Sequence, residues 1–232
     1  MIISAVDPDG KWLYRAGGLS ALAVGIGYLV IIALYVPIGA PPSDVGALLT
    51  YLAGNRTAWW AILSLSVLTD FLFVPVALSL YLALKGFNRN AMLLATACVA
   101  LFIVLDLAIT WTNYAALIAL SSKYVTAAND AQRAAVVWAA NYPSAVLQSS
   151  LLFVYNTLTL AVGILLTGFV MLKGIFSKST AYLGLVTGIL GIVSVAGPHF
   201  VSALKASIVV TSILTTVWIL FVGYRLCRLG CR

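Results

Sequence analysis

The sequence predicts an all-α polytopic membrane protein, a single bundle of six transmembrane helices spanning residues 1–232, with two short amphipathic helices on its outer face. Three observations lead there. Hydrophobic residues make up 63% of the chain and charged residues 8%, with a mean hydropathy of +1.10, whereas soluble domains carry about a quarter charged residues. The apolar stretches are continuous over roughly 20 residues, which suits helices, and do not alternate in the segments of about ten that a barrel requires. The formal charge of +7 is scattered at the ends of those stretches, so it encodes topology and indicates no nucleic-acid partner.

Taken in order, the spans cover about 17–39, 58–84, 91–120, 144–171, 179–197 and 201–224, each able to cross ~30 Å of hydrocarbon. The first begins near Gly17 and runs too long for a cleavable leader, so it is expected to remain as a helix. Lys11, Arg15, Lys85, Arg89, Lys173, Lys178, Arg225, Arg228 and Arg232 fall on one side, and Arg56, Lys123, Arg133 and Lys205 on the other. Nine basic residues against four put both termini in the cytoplasm. Trp12, Tyr14, Tyr182 and Tyr224 suit the inner boundary as aromatic anchors, and Trp59, Trp60, Tyr124 and Trp138 the outer one.

The two longer connections share the outer face. Ser43 and Asp44 after Pro41 and Pro42 mark a helix start, with Val45, Leu48, Leu49 and Leu52 following before Gly54 and Asn55 end it. Asn129 or Asp130 begins a second short helix carrying Ala134, Val137 and Trp138, expected to stop near Pro143. Such helices either fill the interface or form a lid over an outward vestibule. Gly184 and Gly188, with Gly191 beyond, give the fifth span a face for close helix packing, within the chain or in a homo-oligomer. The first span offers Ala21 and Gly25 in the same way.

Function is sought at Asp70 and Asp106, because a carboxylate at membrane depth costs several kcal/mol by most scales and is kept for a cation, a proton or a buried partner. Asp70 lies fifteen residues before Lys85 and Asp106 seventeen after Arg89, which places both about 22 to 26 Å from the inner basic ends. The two spans share a tight connection, so side chains at one depth meet if both face inward. Two adjoining carboxylates cannot both ionise cheaply and can hold a proton or a cation between them. Pro75 lacks the N–H that would bond the carbonyl of Phe71, leaving an oxygen beside Asp70. Thr110, Asn113, Tyr155 and Asn156 are further candidates for lining a polar cavity, as is the stripe Ser207, Thr211 and Thr215. Hydroxyls of this kind also commonly bond their own helix, and an aspartate can simply fasten helices together. Lys205 either snorkels to the surface or turns inward as a counter-ion.

Enzymatic signatures are sparse, and no cofactor is indicated. His199 is the only histidine, which excludes a multi-histidine metal centre or haem pair within one chain. There is no G-x-S-x-G, H-E-x-x-H or phosphate loop, and Asp106 sits in Val104-Leu105-Asp106-Leu107 without the Gly-x-Gly-Asp setting of intramembrane aspartyl proteases. Cys98, Cys227 and Cys231 form no disulfide framework. The leading expectation is a small protein that binds or passes a solute, cation or proton at midmembrane. The alternatives are a structural or assembly component and an intramembrane enzyme acting on lipid or peptide.

The segment Tyr14-Arg15-Ala16-Gly17-Gly18, Asp70 in the second span, and Leu80-Tyr81-Leu82-Ala83-Leu84-Lys85 followed by Asn88-Arg89 resemble a prokaryotic six-span family catalogued as a domain of unknown function. The resemblance covers most of residues 14–224. It implies a bacterial or archaeal inner-membrane protein and supplies no reaction, ligand or site residue.

Overall fold

The computed structural model describes residues 10–201, 203–204 and 207–231. In chain order its helices are α1 (Lys11–Ile38), α2 (Val45–Gly54), α3 (Arg56–Leu84), α4 (Arg89–Leu105), α5 (Thr112–Val125), α6 (Asp130–Gln148), α7 (Ser150–Phe153), α8 (Thr159–Met171), α9 (Lys178–Ala196) and α10 (Ser207–Gly230). Single π-helical turns join α4 to α5 (Asp106–Trp111) and α7 to α8 (Val154–Leu158), making continuous third and fourth spans. Among the described residues, six helices are therefore long and apolar enough to cross a membrane. Large apolar side chains cover the outside, Leu94 and Val104 each at 61% exposure, and such a surface suits lipid contact.

Consecutive spans pack side by side, and α10 closes back onto α1, so the six form a ring. Glycine closes the half that carries the termini. A Cβ added at Gly18 of α1 would lie 2.6 Å from the backbone nitrogen of Cys227 on α10, and one at Gly168 of α8 would lie 2.8 Å from that of Leu185 on α9. Backbones this close gain dispersion contacts where lipid supplies no hydrophobic drive between helices. Gly184 and Gly188 pack on α8 in the same manner, against Gly168 and Leu165. The face expected to serve a homo-oligomer is thus occupied inside the chain.

Two apolar clusters stack along the bundle. One, in the half nearer the termini, contains Tyr14, Phe73, Met92, Phe102, Met171, Trp218 and Leu226. The other, in the distal half, gathers Leu48, Leu49 and Leu52 of α2 with Trp59 and Ile62 of α3, Leu117 and Ile118 of α5, and Ala140 of α6. Trp59 stacks on Tyr114 with ring centroids 5.1 Å apart and meets Tyr35 and Tyr51 edge-on, so it is a core residue and no interface anchor. Tyr14 is likewise fully buried, whereas Trp12, Trp60, Trp138, Tyr182 and Tyr224 are exposed.

Asp44 caps α2 by accepting from the Ala47 N–H at 2.8 Å, and Asn129 caps α6 by accepting from that of Gln132 at 2.9 Å. Unlike the expected short helix, α6 runs past Pro143 to Gln148, and the break falls at Ser149, whose extended backbone and hydroxyl start α7. The fourth span consequently begins at Ser150 and not near 144. A 3₁₀ turn, Gly197–His199, follows α9, Val201 is not helical, and the last span is described from Ser207. Lys205 lies outside the described residues.

Because the Gly168 contact leaves no room for a methyl group, Gly168→Ala is expected to lower stability by about 1–3 kcal/mol. Gly54→Ala, where nothing stands within 4 Å, should not. Unfolding of both variants in detergent, followed by circular dichroism, checks the difference.

Candidate functional site

Asp70 and Asp106 lie in the layer between the two apolar clusters. On α3, Asp70 falls between Ile62 of the distal cluster and Phe73 of the other; on the third span, Asp106 falls between Ile103 and Leu117. Both carboxyls are buried, and that of Asp106 lies within electrostatic reach of Asp70. Their partners differ. Asp70 Oδ2 accepts a hydrogen bond from the Trp111 indole Nε1 at 2.8 Å, which ties α3 to the third span. Thr110 and Trp111 stand beside the Asp106 carboxyl as well. Neither donates to it in good geometry: Asp106 Oδ1 is buried without a hydrogen-bond partner, and so is the Thr110 hydroxyl one turn further on. The Tyr28 phenol of α1 stands within electrostatic reach of both acids.

The π turns shape this region. An added residue in a helical turn leaves carbonyls without their usual i+4 donors, and neighbouring side chains supply substitutes. Thr112 donates to the carbonyls of Ala108 and Ile109, Asn113 to that of Ile109, and Thr159 to that of Tyr155. The two π turns touch across the third and fourth spans.

A cleft of about 360 Å³ opens beside Asp106, walled by α1, the third and fourth spans, α9 and α10. Tyr28, Phe102, Phe153, Leu160 and Ile164 give it a largely apolar wall, while Asp106, Asn156, Thr157, Thr187 and the hydroxyl face of α10 supply polar groups. The Thr187 hydroxyl is buried there without a partner. On α10 the hydroxyls of Thr211, Thr215 and Thr216 donate to carbonyls one turn back, so they offer the cleft oxygen lone pairs and no protons. Neither α2 nor α6 contributes to this cleft, so neither forms the expected lid over it.

The structure separates some of the expected site residues. Asp70, Asp106 and Thr110 come together, and Asn156 joins Asp106 along the cleft. Asn113 and Tyr155 instead line a second cavity of about 320 Å³, with Tyr142 of α6 on its wall. The π turn Val154–Leu158 divides the two spaces, with Tyr155 on one side and Asn156 on the other. Phe71, expected to offer its carbonyl, has its side chain on the outside of α3 at 58% exposure and lines neither space. Pro75 stands within α3 without ending it.

Sequence reasoning does not single out Trp111, Tyr28 or Thr187. A tryptophan deep in a span, away from the boundary that tryptophan favours, is the available signal for Trp111. Among the described residues no three His, Cys, Asp or Glu side chains gather, so a metal ion at this depth would draw on two carboxylates and neutral oxygens. The chain matches no family model, no curated protein and no solved structure.

Trp111→Phe keeps the ring and removes the donor to Asp70. It is expected to destabilise the fold by about 1–3 kcal/mol and to move an infrared carboxyl band that Asp70→Asn abolishes. A spectrum unchanged by Trp111→Phe would show that the bond does not persist in the membrane.

Proposed function

We propose that this protein binds, or passes, a small positively charged solute or a proton at Asp106, in the cleft between α1, the third and fourth spans, α9 and α10. The unpartnered carboxylate oxygen carries this reading, since a buried acceptor left without a donor costs about 1–3 kcal/mol, or more for a charged group. The cleft's apolar and aromatic wall, with few polar groups, suits a small organic cation: the rings of Tyr28, Phe102 and Phe153 offer apolar contact and negative π faces, and Asp106 offers the charge. Asp70, held by Trp111, is a positioning residue that fixes α3 against the third span beside Asp106.

The excess of basic residues at the termini side supports an orientation with both termini in the cytoplasm, so that the cleft, in the distal half, faces outward. The resemblance carried by Tyr14–Gly18 and Leu80–Lys85 supports a prokaryotic inner membrane. The Trp111–Asp70 bond favours a second reading, in which the acids chiefly fasten helices within a structural or assembly component.

In proteoliposomes, uptake of methylamine or tetraethylammonium, or of protons followed with a pH-sensitive dye, is expected to fall about tenfold or more in Asp106→Asn and less in Asp70→Asn. Wild-type protein that neither binds nor moves these probes, or an Asp106→Asn variant equal to it, would overturn the transport reading in favour of the structural one.

A further inference from the structure

The groups that line the Asp106 cleft are almost all of one hydrogen-bonding kind. Thr211, Ser212, Thr215 and Thr216 of α10 each donate the hydroxyl proton to a backbone carbonyl one turn back, at 2.9 to 3.0 Å. Thr157 donates its own to Asn156 Oδ1 at 2.9 Å. All five residues line the cleft, and with their protons engaged these hydroxyls face it as acceptors. Asp106 and Thr187, 6% and 1% exposed, add an Oδ1 and a hydroxyl that have no partner. Such a lining calls for a ligand that carries several hydrogen-bond donors, because each buried acceptor left unmet costs free energy.

The rest of the cleft narrows the class. A proton satisfies a single oxygen, and a bare metal ion leaves the wall of Tyr28, Phe102, Phe153, Leu160 and Ile164 uncovered in a space of about 360 Å³. A quaternary ammonium can cover that wall but brings no N–H. A primary ammonium on an aromatic or branched aliphatic body meets both sides, with three N–H donors for the carboxyl and hydroxyl oxygens and an apolar surface for the rings.

We propose, resting on the cation reading of Asp106 given above, that the cleft takes a primary ammonium with an apolar body and selects it by its N–H groups. The test titrates phenethylamine and its N-methyl, N,N-dimethyl and N,N,N-trimethyl derivatives into the full-length protein in detergent by calorimetry, at neutral pH where all four carry a positive charge. Affinity is expected to fall with each N–H lost, by about tenfold or more from the primary to the quaternary compound. Steric exclusion of the methyl groups would survive removal of the hydroxyls, whereas selection by N–H would not. The primary-to-quaternary affinity ratio should therefore drop at least about threefold in the near-isosteric Thr187→Val, Thr215→Val double variant, its folding checked by circular dichroism. The wild-type series stands whether or not that variant folds. Equal affinity along the series, or an unchanged ratio in the folded double variant, would overturn the selection by N–H while leaving the cation reading intact. Absence of binding by all four compounds would remove both.

Discussion

Close backbone packing through glycine in one half of the ring is the constraint from which the rest of the architecture follows. Gly18 sets α1 against α10, and Gly168 with Gly184 and Gly188 sets α8 against α9. Helices held this closely at one end diverge where their facing residues become larger. On the distal side α1 presents Ile31 and Ile32, and α10 presents Ile208, and the ring parts there into the cleft beside Asp106. The closed half gives the cleft a floor, so a solute entering from the distal side would meet packed side chains before reaching the other end.

The polar layer sits at this junction of closed and open packing. Two acids at one depth repel each other if both are charged, and the structure treats them unequally. Asp70 is covered by a tryptophan donor from the neighbouring span, while Asp106 borders open space. The π turns accompany that inequality. The first begins at Asp106 and ends at Trp111, so it sets both the acid that faces the cleft and the donor that covers the other acid. The second turns Asn156 toward the cleft and Tyr155 away from it.

Much of the fold was legible in the sequence, because hydropathy over some 20 residues is a strong signal and a lipid-spanning backbone has few alternatives to a helix. The α2 helix, a start at Ser43 and Asp44, and its leucines followed from local chemistry, and the structure makes Asp44 the cap. Boundaries at proline were harder. Pro143 is accommodated inside α6, where it is buried together with Ala140 and Ser144. In the site, matching depth brought Asp70 and Asp106 together, since depth follows from residue counts. Direction around the helix axis does not survive a π turn, which rotates every later side chain by roughly a quarter turn relative to an α-helical count. Asn113, placed by the count of an unbroken α-helix from Asp106, accordingly faces a different cavity, which Tyr155, placed by depth alone, also lines.

The same geometry explains why one aspartate and not the other is the candidate for contact with a ligand. A carboxyl that already accepts from an indole N–H has part of its lone-pair capacity occupied, and removing that donor would leave a buried acceptor unsatisfied. A carboxylate oxygen without a donor has the opposite need: any cation, proton or hydrogen-bond donor that reaches it lowers its free energy. The pair thus combines one carboxyl locked into helix packing with a second that borders the cleft, where aromatic and hydroxyl groups surround it.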